Sequence, residues 1–140
     1  MKTIAFSLFL IVATFSLQAQ TKYLHDRSGK CIGSISADGK IRNASGNLVK
    51  EVKSDGTVMD GSGGYFGEIK SDGTVRDKSG SRMGEIKSDG SIRARDGSRL
   101  GQIDSDGTVR DHDGNNIGNT KGGSVNQAAL VYFFSGNKKK

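Results

Sequence analysis

The sequence predicts an all-β protein of five 17-residue hairpin repeats arranged as a closed ring, with a short β-solenoid as the alternative. Three observations carry this. Two sets of turn glycines recur with one period, three columns of apolar residues keep the same period, and within the repeats glycine punctuates every window long enough for a helix.

One set of turns, termed A, ends at Gly39, Gly56, Gly73, Gly90 and Gly107, each preceded by Asp. The other set, termed B, ends at Gly29, Gly46, Gly63, Gly80, Gly97 and Gly114. Five full units follow without a gap, at 33–49, 50–66, 67–83, 84–100 and 101–117. A half-unit (26–32) precedes them, and a degenerate half (118–125) follows. Ile35, Val52, Ile69, Ile86 and Ile103 lead into the A turns, and Ile41, Val58, Val75, Ile92 and Val109 leave them. A third column, Ile32, Val49, Phe66, Met83, Leu100 and Ile117, follows the B turns. β-branched residues beside Asp-Gly pairs read as short strands in hairpins.

Parity selects the turn. A two-residue Asp72-Gly73 loop sets Ile69 against Arg76 and mixes core with surface. A three-residue loop, Ser71-Asp72-Gly73, pairs Ile69 with Val75 and Glu68 with Arg76. This is a type I turn with a G1 bulge, with glycine in the left-handed position. The same design at Lys78-Ser79-Gly80 pairs Val75 with Met83. Met83 and Ile86 are an odd interval apart, which strict alternation cannot place on one face, so a bend is expected between them. Gly33, Gly67, Gly84, Gly101 and Gly118 occupy that boundary, and Lys50 departs from the pattern. Repeated bends of one sense lead to a ring or a solenoid.

One unit offers three apolar side chains, each worth about 1.5–3 kcal/mol when buried. Ordering its backbone costs about 1–2 kcal/mol per residue. A lone unit does not fold, so the array shares one core and its ends need closing. The apolar segment 128–134 (Ala128 to Phe134) is the natural closing element, as a plug or an added strand, with an external interaction tail as the alternative reading.

The N-terminal residues 1–19 read as a secretory signal peptide: Lys2, an apolar stretch from Ile4 to Leu17, and a small residue, Ala19, before the expected cut. The remainder divides into a single β-repeat domain at 20–137 and a basic tail at 138–140. No transmembrane span is expected in the mature chain, and its location is periplasmic or extracellular. The chain carries 21 Lys+Arg against 15 Asp+Glu. Without Lys2 the excess is +5, and without Lys138–Lys140 it is +2. A near-neutral repeat body argues against nucleic acid as a partner.

The recurring G-[EQ]-I-x-S-D-G-[TS]-[VI]-R unit, the N-terminal leader and the aromatic C-terminal segment resemble the five-fold β-flower family of exported bacterial repeat proteins. The resemblance covers essentially the whole mature chain. It implies five hairpin units around a pseudo-five-fold axis. It brings no activity and no site residues with it.

Candidate chemistry is sparse, and no catalytic, cofactor-binding or metal-binding residues are assigned. Glu68–Arg76 and Glu85–Arg93 fall opposite each other, and Gln102–Arg110 repeats the pairing, which reads as a cross-strand ladder on the solvent face. Asp104-Ser105-Asp106-Gly107 with Asp111 and Asp113 faintly resembles a calcium loop. Lys53, Lys70 and Lys87 replace Asp104 in sister units and repel a cation there. Cys31 has no internal disulfide partner, and His25 and His112 are far apart in sequence. With no Trp and few aromatics, a glycan platform is weakly supported. The function expected is a non-enzymatic structural or interaction protein of the cell envelope, with a homo-oligomer or an envelope component as partner. The alternative is a binding module for an envelope polysaccharide or small ligand.

Overall fold

The computed structural model describes residues 20–135. The signal-peptide and basic-tail expectations lie outside these residues. Twelve strands follow in order: β1 (Lys22–Asp26), β2 (Cys31–Ile35), β3 (Lys40–Asn43), β4 (Leu48–Val52), β5 (Thr57–Asp60), β6 (Tyr65–Ile69), β7 (Thr74–Asp77), β8 (Arg82–Ile86), β9 (Ser91–Ala94), β10 (Arg99–Ile103), β11 (Thr108–Asp111) and β12 (Asn116–Asn119). One helix, α1 (Val125–Tyr132), ends the fold. Each strand pairs antiparallel with its neighbours, and β1 pairs with β12, so the sheet is a closed barrel without free edges.

The A turns have the expected geometry. Ile69 lies opposite Val75 and Glu68 opposite Arg76. The Gly73 amide donates to Lys70 O (2.9 Å), the Lys70 amide donates to Thr74 O (2.8 Å) and Gly73 has φ +90°. Each A turn is also stitched to the next hairpin. Ile86 donates its amide to Gly73 O at 2.8 Å, and Val52, Ile69, Ile103 and Thr120 do the same to Gly39, Gly56, Gly90 and Gly107.

The third apolar column departs from the expected register. Arg76 lies opposite Arg82 and Val75 opposite Gly84, so Met83 is the extra residue of a β-bulge and does not pair with Val75. Ile32, Val49, Phe66, Leu100 and Ile117 are skipped in the same way. A bulge inserts one residue and resets the alternation, which reconciles the odd interval between Met83 and Ile86. The two other columns fill the core, where Ile35, Ile41, Val58, Val75, Ile92, Ile103 and Val109 are almost wholly buried. The bulge side chains pack around its margin and stay partly exposed, except Val49, which is exposed.

The five continuous units occupy a ring with six hairpin positions, not five. The terminal half-units supply the sixth together, with His25 opposite Asn119 and Asp26 opposite Gly118. This seam repeats the Glu68–Arg76 and Gly67–Asp77 pairs. Leu24 therefore falls in the column of Ile41 and Val58, and Thr120 in the column of Ile35 and Ile103. Both are fully buried. Thr120 is the one polar member of its column, and its Oγ1 has no hydrogen-bond partner. An unpaired buried hydroxyl costs about 1–3 kcal/mol. Thr120→Val is expected to stabilise the fold by about 1 kcal/mol, read as a higher denaturant midpoint; an unchanged or lower midpoint contradicts this.

Segment 128–134 is not a strand. Ser124 caps a helix that carries Ala128, Ala129 and Leu130, all at 0% exposure, into the common core. Small side chains at 128 and 129 let the helix backbone fit within the ring of inward aliphatics. From the last residue of α1 onward the chain fans out along the inner rim. A Cβ on Gly118 would meet the Tyr132 ring at 2.7 Å, one on Gly101 the Phe133 ring at 2.7 Å and one on Gly84 the Phe134 ring at 2.8 Å. The boundary glycines thus also clear space for three consecutive aromatic residues. Tyr132 reaches the seam, where its hydroxyl donates to His25 O at 2.7 Å. Burial pushes the Tyr132 hydroxyl up to about 12, so it stays a donor throughout the neutral range.

Candidate functional site

Because α1 fills the lumen, the open volumes lie at the barrel's ends. At the A end, a cleft of about 510 Å³ runs between the turns that follow β4, β6 and β8. Lys53, Lys70 and Lys87 line it from equivalent positions, and Val125 and Asn126 at the start of α1 form part of its wall. Ser36 and Asp104 hold the corresponding place in the outer units. The charge is balanced. Asp55 and Asp72 share the lining, and Glu68 lies 4.0 Å from Lys70 Nζ. Thr57 and Thr74 donate their amides to Asp55 and Asp72 at 2.9 Å, which holds both carboxyls below the usual aspartate range.

At the B end, a shallower groove of about 400 Å³ is lined by Met83, Ala94, Leu100, Phe133 and Phe134, with Arg95 and Ser135 at its edge. Tyr65 (47% exposed) and Val49 (37%) lie towards the same end of the barrel. Lys50, standing where other units have glycine, places Nζ 4.6 Å from the centroid of the Phe66 ring and donates to Ser135 O at 3.3 Å. Burial lowers its pKa, opposed by the charge of Asp60. Arg42, Arg76, Arg93 and Arg110 each send Nη1 to a B-turn carbonyl, those of Gly46, Gly80, Gly97 and Gly114, at 2.9–3.2 Å.

These contacts revise the ladder expected from sequence. The backbone register puts Glu68, Glu85 and Gln102 opposite Arg76, Arg93 and Arg110, yet the side chains bond elsewhere. Glu85 takes Arg82 at 3.1 Å, Gln102 takes Arg99 at 2.9 Å and Arg110 bonds Asp104 at 2.9 Å. The bulge explains the first two: it brings residues three apart onto one face of the strand, which regular alternation forbids.

The aspartates of the faint calcium pattern are engaged by the protein itself. Asp104 accepts from Arg110, Asp106 from the Thr108 amide and Asp111 from the amides of Asp113 and Asn115. Among the described residues no three His, Cys, Asp or Glu side chains gather as a metal site. Cys31 and His25, whose spacing fits no catalytic motif, lie opposite each other in β1 and β2. Cys31 is partly buried, with Sγ 3.5 Å from Gly33 O. His112 is at a B turn, 3.2 Å from Asp113.

A barrel of near-identical hairpins, closed by pairing its own ends and filled by its own C-terminal helix, defines an all-β repeat ring. The chain belongs to the 5-fold beta-flower protein family, whose profile matches residues 21–135. No curated protein and no solved structure matches it.

Proposed function

We propose that this is an exported, non-enzymatic structural or interaction protein of the cell envelope. The observation that carries the reading is the filled lumen. Ala128, Ala129 and Leu130 occupy the space where a barrel of this kind would hold a ligand, leaving only the outer wall and the two ends for contact. A rigid, edge-free ring with a robust core suits a scaffold that meets partners through its ends. The N-terminal leader supports export. Fractionation of the native host with mass spectrometry of the recovered protein tests this. A mature species beginning at Gln20 in the exported fraction is expected; an intact Met1 species confined to the cytoplasm overturns it.

The lysine-lined cleft at the A end favours a second reading, a module for a small polar ligand or an envelope polysaccharide. Its alternating Lys, Ser and Asp offer donors and acceptors without an aromatic platform. Calorimetry with envelope oligosaccharides separates the two: saturable binding lost in Lys70→Ala favours the module.

A further inference from the structure

We propose that the B end of the barrel docks onto a bilayer surface rich in anionic headgroups, an inference that rests on the exported interaction-protein reading and names what the protein meets. The first argument is charge sorted by position. The repeat body carries only +2 in total, but that sum hides an uneven distribution. Nine basic groups belong to the B end: the four arginines tied to B-turn carbonyls, Arg27, Lys30, Lys78 and Arg95 in or beside the turns, and Lys50 at the inner rim. Against them stand six aspartates, 26, 60, 77, 96, 111 and 113, leaving +3. On the outer wall Arg82 and Arg99 face three glutamates (−1), and at the A end six lysines face six aspartates (0). The excess therefore leans towards the B end, with Arg110 also paired to Asp104 of the A end.

The second argument is the company these charges keep. The B end also carries the apolar groove between Met83, Leu100, Phe133 and Phe134, lined as well by Arg95, and beside it half-exposed Tyr65 begins β6 at the wall position that Arg82 and Arg99 hold in β8 and β10. Basic groups around apolar and aromatic side chains match an interface where headgroups meet acyl chains; a purely ionic ligand has no use for the apolar part. Each basic group near an anionic surface changes partitioning by about fivefold.

Flotation of the protein purified from its host with phosphatidylglycerol/phosphatidylcholine vesicles, and with phosphatidylcholine alone, tests the proposal. Binding to the anionic vesicles only, weakened by added salt, is expected. Two triple variants remove equal charge from opposite ends. Arg27→Gln/Lys78→Gln/Arg95→Gln is expected to lower partitioning about 100-fold. Lys53→Gln/Lys70→Gln/Lys87→Gln at the A end is expected to lower it less than about threefold. Among the described residues these six have no side-chain hydrogen bonds to other groups except Lys70, whose ion pair is long, so unchanged melts are expected for both variants. Tyr65→Ser is expected to weaken vesicle binding severalfold at unchanged charge. Three results overturn the proposal: no binding to anionic vesicles, equal loss in the two triple variants, or soluble polyphosphate competing fully while Tyr65→Ser binds like the wild type, which makes the occupant a dissolved polyanion. An exported protein that ignores vesicles removes the docking proposal alone, whereas an unprocessed cytoplasmic one removes the reading beneath it.

Discussion

A chain truncated before Ala128 is expected to lose its cooperative melt and to aggregate. Truncation removes Ala128, Ala129, Leu130 and Phe134, all buried in the common core, and with them Tyr132 and Phe133, which pack against it. It also uncovers the inward faces of Ile41, Val58, Val75, Ile92 and Val109 along the lumen. Each large side chain returned to water costs about 1.5–3 kcal/mol, and a domain of this size holds only about 5–15 kcal/mol in all. The seam loses the bonds of the Tyr132 hydroxyl to His25 O and Asn119 O. Circular dichroism melts and size-exclusion chromatography of the truncated and intact chains decide the matter. A monomer with an unchanged melt would mean that the ring is self-sufficient and that the helix is an accessory.

The repeat itself was legible because turn chemistry and parity agree. Only a three-residue A turn puts Ile69 beside Val75, and that is the pairing found. Three features were harder to read, each for a physical reason. The bulge at Met83 has no residue type of its own; its trace is the odd interval to Ile86, which a bend explains equally well from sequence alone. The sixth hairpin position could be found by stepping the period from Ile41 back to Leu24 and from Ile103 on to Thr120, but Thr120 is polar and breaks the column where the seam forms. The helix has a signal in Ser124 followed by a glycine-free run through Ala128, Ala129 and Leu130. A helix surrounded by a barrel has little need of a polar face, so its apolar run resembles a buried strand as much as a helix. The candidate site was the least visible. A net charge of +2 says nothing about which end carries it, because that depends on where long side chains such as Arg76 send their guanidinium groups.

Gly73 and Gly80 look equivalent in sequence, and their replacement by alanine is expected to have very different consequences. Both adopt left-handed backbone, with φ of +90° and +85°. That conformation penalises any residue with a Cβ by about 1–2 kcal/mol. At Gly80 this is the whole effect, since a Cβ there meets nothing within 4 Å. At Gly73 the Cβ would lie 2.0 Å from Ile86 O, a backbone atom that cannot swing aside. The A turn must then move away from β8. That movement breaks the Ile86 amide bond to Gly73 O and loosens Ile86 and Val75, both buried in the core. Gly73→Ala is therefore expected to cost about 3–5 kcal/mol in total, within the range of large core disruptions, and Gly80→Ala only the conformational penalty. Urea denaturation of the two variants beside the wild type measures the difference. Equal midpoints would mean that the A turns do not bear on the neighbouring hairpins, and the inter-unit stitching at that end of the barrel would have to be abandoned.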